Sequence, residues 1–136
     1  MKRTASANWK GTGKDGKGTV SSQSGVLDNT AYSYKSRFED GTGTNPEELI
    51  AAAHSGCFTM KLSFLLSGAG FTPENIDTKA TITLENGAIT SSHLELKATV
   101  PGLDNAKFLE LAEEARTNCP ISKLLNTEIT LDAQLA

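Results

Sequence analysis

Small apolar and polar residues alternate in ASANWK, which predicts a strand over residues 5–10. GTVSSQSGVL predicts a second strand after the glycine-rich turn GTGKDGKG. TAYSYKSRFE reads as a third, with Tyr32, Tyr34 and Phe38 on one parity and Ser33, Lys35 and Arg37 on the other. Trp9 is expected in the core of this sheet. The period then lengthens. In GTGTNPEEL, Asn45 can cap a helix, Pro46 suits its first position and Glu48 stands three residues past the cap. The helix is predicted to run to about Ser67, where GAG stops it. Leu49, Ala53, Cys57, Met60 and Phe64 make one apolar stripe, and Ala52, Leu62, Leu65 and Leu66 fill others. Apolarity on all sides predicts burial on most sides. Ala51, Ala52, Ala53, Ser55 and Gly56 are small enough for another backbone to approach. A single small domain rarely wraps a helix so fully, which points to a partner subunit.

Period two returns in IDTKATITLENGAITSSHLELKATV. Ile76, Ala80, Ile82 and Leu84 alternate before Asn86-Gly87, and Leu94, Leu96, Ala98 and Val100 after it, so the segment is a hairpin on a type I′ turn. PGLDNAKFLELAEEARTN is an amphipathic helix with Phe108, Leu109, Ala112 and Ala115 inward. Cys119 precedes Pro120, a position from which it can cap a short helix through about Leu125. EITLDAQLA closes the chain as a strand with Ile129, Leu131, Ala133 and Leu135 on one face. Clustered strands with helices between them predict an α+β fold with mainly antiparallel sheet, in one domain over residues 1–136.

Length and charge narrow the function classes. A chain of 136 residues can bury a core without covalent staples. Its net charge of −3, with Lys10, Lys14 and Lys17 spaced by glycines, argues against nucleic acid as the main partner. MKRTASANWKGTGKDGKG lacks the apolar run of a secretory signal, and His54, Lys61 and Ser63 interrupt the longest apolar stretches. No span of roughly 20 residues is therefore expected, and the predicted compartment is the cytoplasm, without a membrane partner. There thiols are kept reduced, and a disulfide is more often transient and catalytic than structural. Gly11, Gly13 and Gly16 spell GxGxxG, but a strand follows where a dinucleotide fingerprint needs a helix, so they read as a hairpin loop.

The chemistry then turns on two cysteines. His54 and Cys57 lie at i, i+3 on one helix, and with Cys119 and His93 they would make a tetrahedral metal set. His93 alternates with Leu94 and Leu96, however, and should face the other side of its strand. A Cys57–His54 hydrolase would need a third group to orient the ring, and none is evident. His54 reads more simply as a surface or core histidine with its hydrogen bond satisfied. Redox chemistry fits two thiols better: one attacks a peroxide, becomes a sulfenic acid and condenses with the other. On helix position alone Cys119 would be the acidic thiol, because a helix N-terminus lowers thiol pKa. Cys57, mid-helix, would depend wholly on Arg37.

RFEDGTGTNPEELIAAAHSGCF, followed about sixty residues later by TNCPISK, resembles the OsmC/Ohr family of thiol-dependent hydroperoxide reductases. GKGTVSSQSGVLDN, AGFTPENIDT, VPGLD and EITLDAQL extend the resemblance over nearly the whole chain, and His54 favours the OsmC branch. The resemblance implies an OsmC-like fold, with sheets packed around a long buried helix in an intertwined homodimer. It implies that Cys57 is the peroxidatic cysteine and Cys119 the resolving one. Arg37 would hold the thiolate and Glu47 would orient Arg37. It further implies a stress-response antioxidant enzyme that reduces organic hydroperoxides, and hydrogen peroxide with them, without flavin, haem or metal. An external dithiol, lipoyl among the candidates, would reset it. Phe58, Met60 and Leu124 would favour lipid-like or aryl peroxides. If the helix is continuous, Glu47 and Cys57 lie roughly 15 Å apart along its axis. Arg37 and Glu47 are therefore expected to serve Cys57 of a second subunit. The rivals are a peroxide sensor or redox-regulated binding protein without sustained turnover, and a binding domain in which the thiols are passive.

Overall fold

Across the glycine-rich turn, β1 (Ala5–Lys10) and β2 (Lys17–Ser22) pair antiparallel, with Ala5 opposite Ser22 and Lys10 opposite Lys17. The structure is a computed structural model describing residues Met1–Ala136, in two units, Met1–Leu49 and Ile50–Ala136. In the first unit, β3 (Thr30–Tyr32) joins the free edge of β2, also antiparallel. The Trp9 and Tyr32 rings meet at 5.3 Å above Gly18, where any β-carbon would strike both of them. Trp9 is only half-buried, so the expectation of a core tryptophan does not hold within the chain. None of residues 1–49 is a fully buried hydrophobe; the buried polar side chains there are Ser36, Thr44 and Glu47.

The third strand stops early. Tyr34–Phe38 is a short helix, α1, and the predicted parity of Tyr32, Tyr34 and Phe38 is lost. Ser33 Oγ accepts from the Ser36 amide at 3.2 Å, and Ser36 Oγ accepts from the Ser33 amide at 2.7 Å. This reciprocal capping box, closed by two serines, outweighs a weak alternation of aromatic and polar residues. Arg37 thus projects from the last turn of a helix.

The long helix α2 (Pro46–Gly68) starts where the sequence predicts. Asn45 Oδ1 accepts from the Glu48 amide at 2.8 Å, while the Glu48 carboxylate takes the Thr44 hydroxyl at 2.7 Å instead of closing the box on Asn45. Beyond Leu49 the helix belongs to the second unit. His54, Phe58, Leu62 and Leu66, four residues apart, are fully buried, whereas Met60 and Phe64 are 63% and 70% exposed. Burial on most sides is therefore not achieved by this chain alone. The helix is also long and apolar enough, by length and composition, to cross a membrane, contrary to the expectation from its polar interruptions. Only 22% of that apolar stretch is buried within the chain.

β4 (Asn75–Glu85) and β5 (Ala88–Thr99) form the predicted hairpin, with Asn86 and Gly87 both at positive φ, as a type I′ turn requires. β6 (Glu128–Leu135) lies on the other side of β5 and runs parallel to it, so this sheet is mixed. A parallel neighbour needs a crossover connection, and α3 (Asn105–Asn118) and α4 (Pro120–Leu124) supply it. Asp104 caps α3 by accepting from the Lys107 amide at 2.8 Å. Its inward face is Phe108, Leu111, Ala112 and Ala115; Leu109, expected inward, is 44% exposed. The core joins that face to Leu94, Leu96 and Ala98 of β5 and to Phe58, Leu62 and Leu66 of α2. Burying each of these large side chains contributes about 1.5–3 kcal/mol.

Candidate active site

Cys119 ends α3 and caps α4 at once. Its backbone is extended, its amide closes α3 on the Ala115 carbonyl, and its Sγ accepts from the Ser122 amide at 3.3 Å. Pro120 at the first helical position needs no amide partner, which leaves the following amides free to face sulfur. The side chain of Cys119 is fully buried, and both cysteines are free thiols. The first turn of α4 also reaches the other cysteine. Burial pushes the Cys57 thiol above its ordinary pKa, the Ile121 amide pulls it back, Cys119 pushes it up again and the Lys61 charge pulls it down. The prediction that Cys57 has no help but Arg37 is thus corrected: α4 and Lys61 both act on it. Within this chain alone burial wins, so the thiol form is favoured.

His54, one turn before Cys57, is fully buried with both ring nitrogens occupied. Nδ1 lies 2.6 Å from Ser92 Oγ and Nε2 lies 2.7 Å from Ser122 Oγ. Burial lowers its pKa, so the ring is neutral near neutral pH. The sequence left surface and core open for a histidine with its hydrogen bond satisfied, and the structure places it in the core. Its partners were missed. Ser122 Oγ is also 3.2 Å from Cys119 Sγ, so one buried run links Ser92, His54, Ser122 and Cys119. The available signal was CPIS itself, where a capping cysteine is followed three residues later by a serine. His93 projects elsewhere, with Nδ1 at 2.5 Å from Thr130 Oγ1 on β6, and no three His, Cys, Asp or Glu side chains form a metal-ligand cluster.

Arg37 and Glu47 pair in the first unit. Arg37 Nε donates to Glu47 Oε1 at 3.0 Å, and its Cζ lies 5.2 Å from the Phe38 ring centroid. The arginine side chain remains 42% exposed and the glutamate only 12%. Glu47 Oε2 is buried without a hydrogen-bond partner, an arrangement that costs about 1–3 kcal/mol unless something completes it. Of the expected apolar neighbours of the thiol, Phe58 is in the core while Met60 and Leu124 are 63% and 73% exposed.

A pair of thiols with amides directed at both sulfurs suits formation and exchange of a disulfide. Comparison with known proteins points the same way. The family profile described as OsmC-like protein matches residues 39–134. The chain is 50% identical over 133 residues to Peroxiredoxin OsmC of Escherichia coli, covering 95% of this chain and 93% of that one. It is 30% identical over 128 residues to Organic hydroperoxide resistance protein-like 2 of Staphylococcus epidermidis, covering 90% and 87%. Among solved structures, the organic hydroperoxide resistance protein OhrB of Bacillus subtilis superimposes with a TM-score of 0.68 at 25% identity, over 98% of each chain.

Proposed function

The chain belongs to the OsmC family, and from that premise we propose that it is a cysteine peroxidase that reduces organic hydroperoxides through a sulfenic acid and an intramolecular disulfide. The observation that carries the mechanism is the turn at Cys119–Ser122, which directs an amide to each sulfur. Cys57 is the attacking thiolate. Its sulfur takes the distal oxygen of ROOH, the O–O bond breaks, and the alkoxide leaves as ROH with a proton from solvent. Cys119 then attacks the sulfenic sulfur, the S–S bond forms and the S–O bond breaks, and water departs. An external dithiol, a lipoyl group among the candidates, reduces the disulfide, and the proposed compartment is the cytoplasm, where such reductants are maintained. No prosthetic group enters the cycle.

Arg37 adds to the Lys61 charge the further stabilisation that Cys57 needs against burial, and it does so from a second subunit. Three observations support this. Arg37 is held at Nε by Glu47 while its terminal nitrogens stay free. The apolar helix face at Met60 and Phe64 is uncovered. Residues 1–49 bury no hydrophobic side chain of their own. We read residues 1–136 as one domain of an intertwined homodimer, since the family match runs across the boundary between the two units. Steady-state consumption of cumene hydroperoxide with excess dihydrolipoamide tests the reading. Many equivalents of peroxide should be reduced per subunit. Consumption that halts after one equivalent would identify a sensor instead.

A further inference from the structure

We propose that His54, acting through Ser122, receives the proton of Cys119 when that thiol resolves the sulfenic acid at Cys57. The inference rests on the assignment of Cys119 as the resolving thiol. The geometry carries it: Cys119 Sγ to Ser122 Oγ is 3.2 Å, Ser122 Oγ to His54 Nε2 is 2.7 Å, and His54 Nδ1 to Ser92 Oγ is 2.6 Å. Cys119, His54 and Ser92 are fully buried and Ser122 nearly so, which leaves solvent a poor acceptor for the thiol proton.

The donors can be ordered in one direction. Neutral His54 donates Nδ1–H to Ser92 and so presents a bare Nε2 to Ser122. The Ser122 hydroxyl donates to that nitrogen and offers its lone pair to the Cys119 S–H. A proton leaving sulfur passes to Ser122 Oγ as the serine passes its own to His54, giving a thiolate and an imidazolium. The Ser122 amide, 3.3 Å from the sulfur, stabilises the thiolate. The thiolate attacks Cys57 sulfur, the S–S bond forms, and the oxygen leaves as hydroxide. That hydroxide is protonated to water and His54 returns to its neutral form. Overall, Cys57–SOH and Cys119–SH become a disulfide and one water. The Ser122 hydroxyl touches the reacting sulfur; His54 is a positioning residue behind it.

No charged side chain acts on His54, whose basicity is lowered by burial alone. The titratable groups near it are Cys119, reached through Ser122, and Cys57 one turn along α2, itself under the charge of Lys61. Resolution in the wild type should therefore slow as pH falls and His54 becomes protonated in advance.

Rapid mixing with one equivalent of cumene hydroperoxide separates the two steps, with sulfenic acid trapping for the first and loss of free thiol for the second. His54→Gln should slow disulfide formation about a hundredfold relative to sulfenic acid formation and abolish the acid limb of its pH profile. Ser122→Ala should do the same, and Ser122→Thr, which keeps the hydroxyl, should restore the rate; this pair decides the matter if His54→Gln does not fold. Wild-type rates and pH profiles in folded His54→Gln or Ser122→Ala would overturn the relay while leaving Cys119 as resolving thiol. A wild-type protein that forms no intramolecular disulfide would overturn both.

Discussion

The two units differ in what they complete by themselves. Residues 50–136 pack a core of Phe58, Leu62, Leu66, Leu94, Leu96 and Phe108 and satisfy both nitrogens of a buried histidine. Residues 1–49 bury no hydrophobe, and their one ion pair leaves a carboxylate oxygen orphaned. A three-stranded sheet with no apolar core does not hold itself together in water. The Cys57 thiol shows the same asymmetry from the other side: it has one amide and a lysine, yet burial still favours its neutral form. One unit has a thiol whose amide and lysine do not offset burial, and the other has a guanidinium with unused donors. On the proposed reading a second copy of the chain completes both.

Subunit exchange should break or sharpen that contrast most strongly. Arg37→Ala should slow the reaction of Cys57 with peroxide about a hundredfold, and Cys57→Ser should abolish it. Mixing the impaired Arg37→Ala protein with the inactive Cys57→Ser protein should raise peroxidase activity, because in the proposed dimer the intact Arg37 of one chain meets the intact Cys57 of the other. Mixtures whose activity does not rise after proven exchange would place Arg37 in its own chain's site. Core truncation comes next. Phe58→Ala should destabilise the protein by about 3–5 kcal/mol in urea unfolding, since the residue is fully buried among α2, α3 and β5.

The buried histidine supplies a pH test. The pKa of His54 is lowered by burial, so its contribution to stability is present above the ordinary imidazole value near 6.5. That contribution is lost as pH falls through the lowered folded value, because the unfolded chain then binds the extra proton. Urea midpoints should therefore drop on mild acidification in the wild type, and the drop should shrink in His54→Gln. The smallest effect is expected in the first unit. Ser33→Ala removes the capping oxygen of α1 and should cost about 1 kcal/mol. It should also slow peroxide reduction, because α1 carries Arg37. Unchanged kinetics in Ser33→Ala would show that Arg37 is positioned by Glu47 alone.

Local signals carried much of the fold. Asn45-Pro46 marked the start of α2, Asn86-Gly87 the hairpin turn and Cys119-Pro120 the start of α4, because caps and turns depend on a few neighbouring residues. The same locality misled at Tyr34–Phe38, where two serines three apart spoke for a cap more strongly than the alternation spoke for a strand. Leu109 and Leu111 are both compatible with an amphipathic helix, and only packing chose Leu111 for the core.

The amino-acid order by itself determined two thiols and a helix too apolar to stand alone; its resemblance to a family singled out Arg37 and Glu47 from the other arginines and glutamates. Only tertiary structure decided that β6 lies parallel to β5, that the first turn of α4 faces Cys57, and that His54 joins Ser92 to Ser122. Those contacts bring together residues 38 and 68 positions apart in the chain. Periodicity reports which face of an element is apolar; it carries no information about which distant element will cover that face.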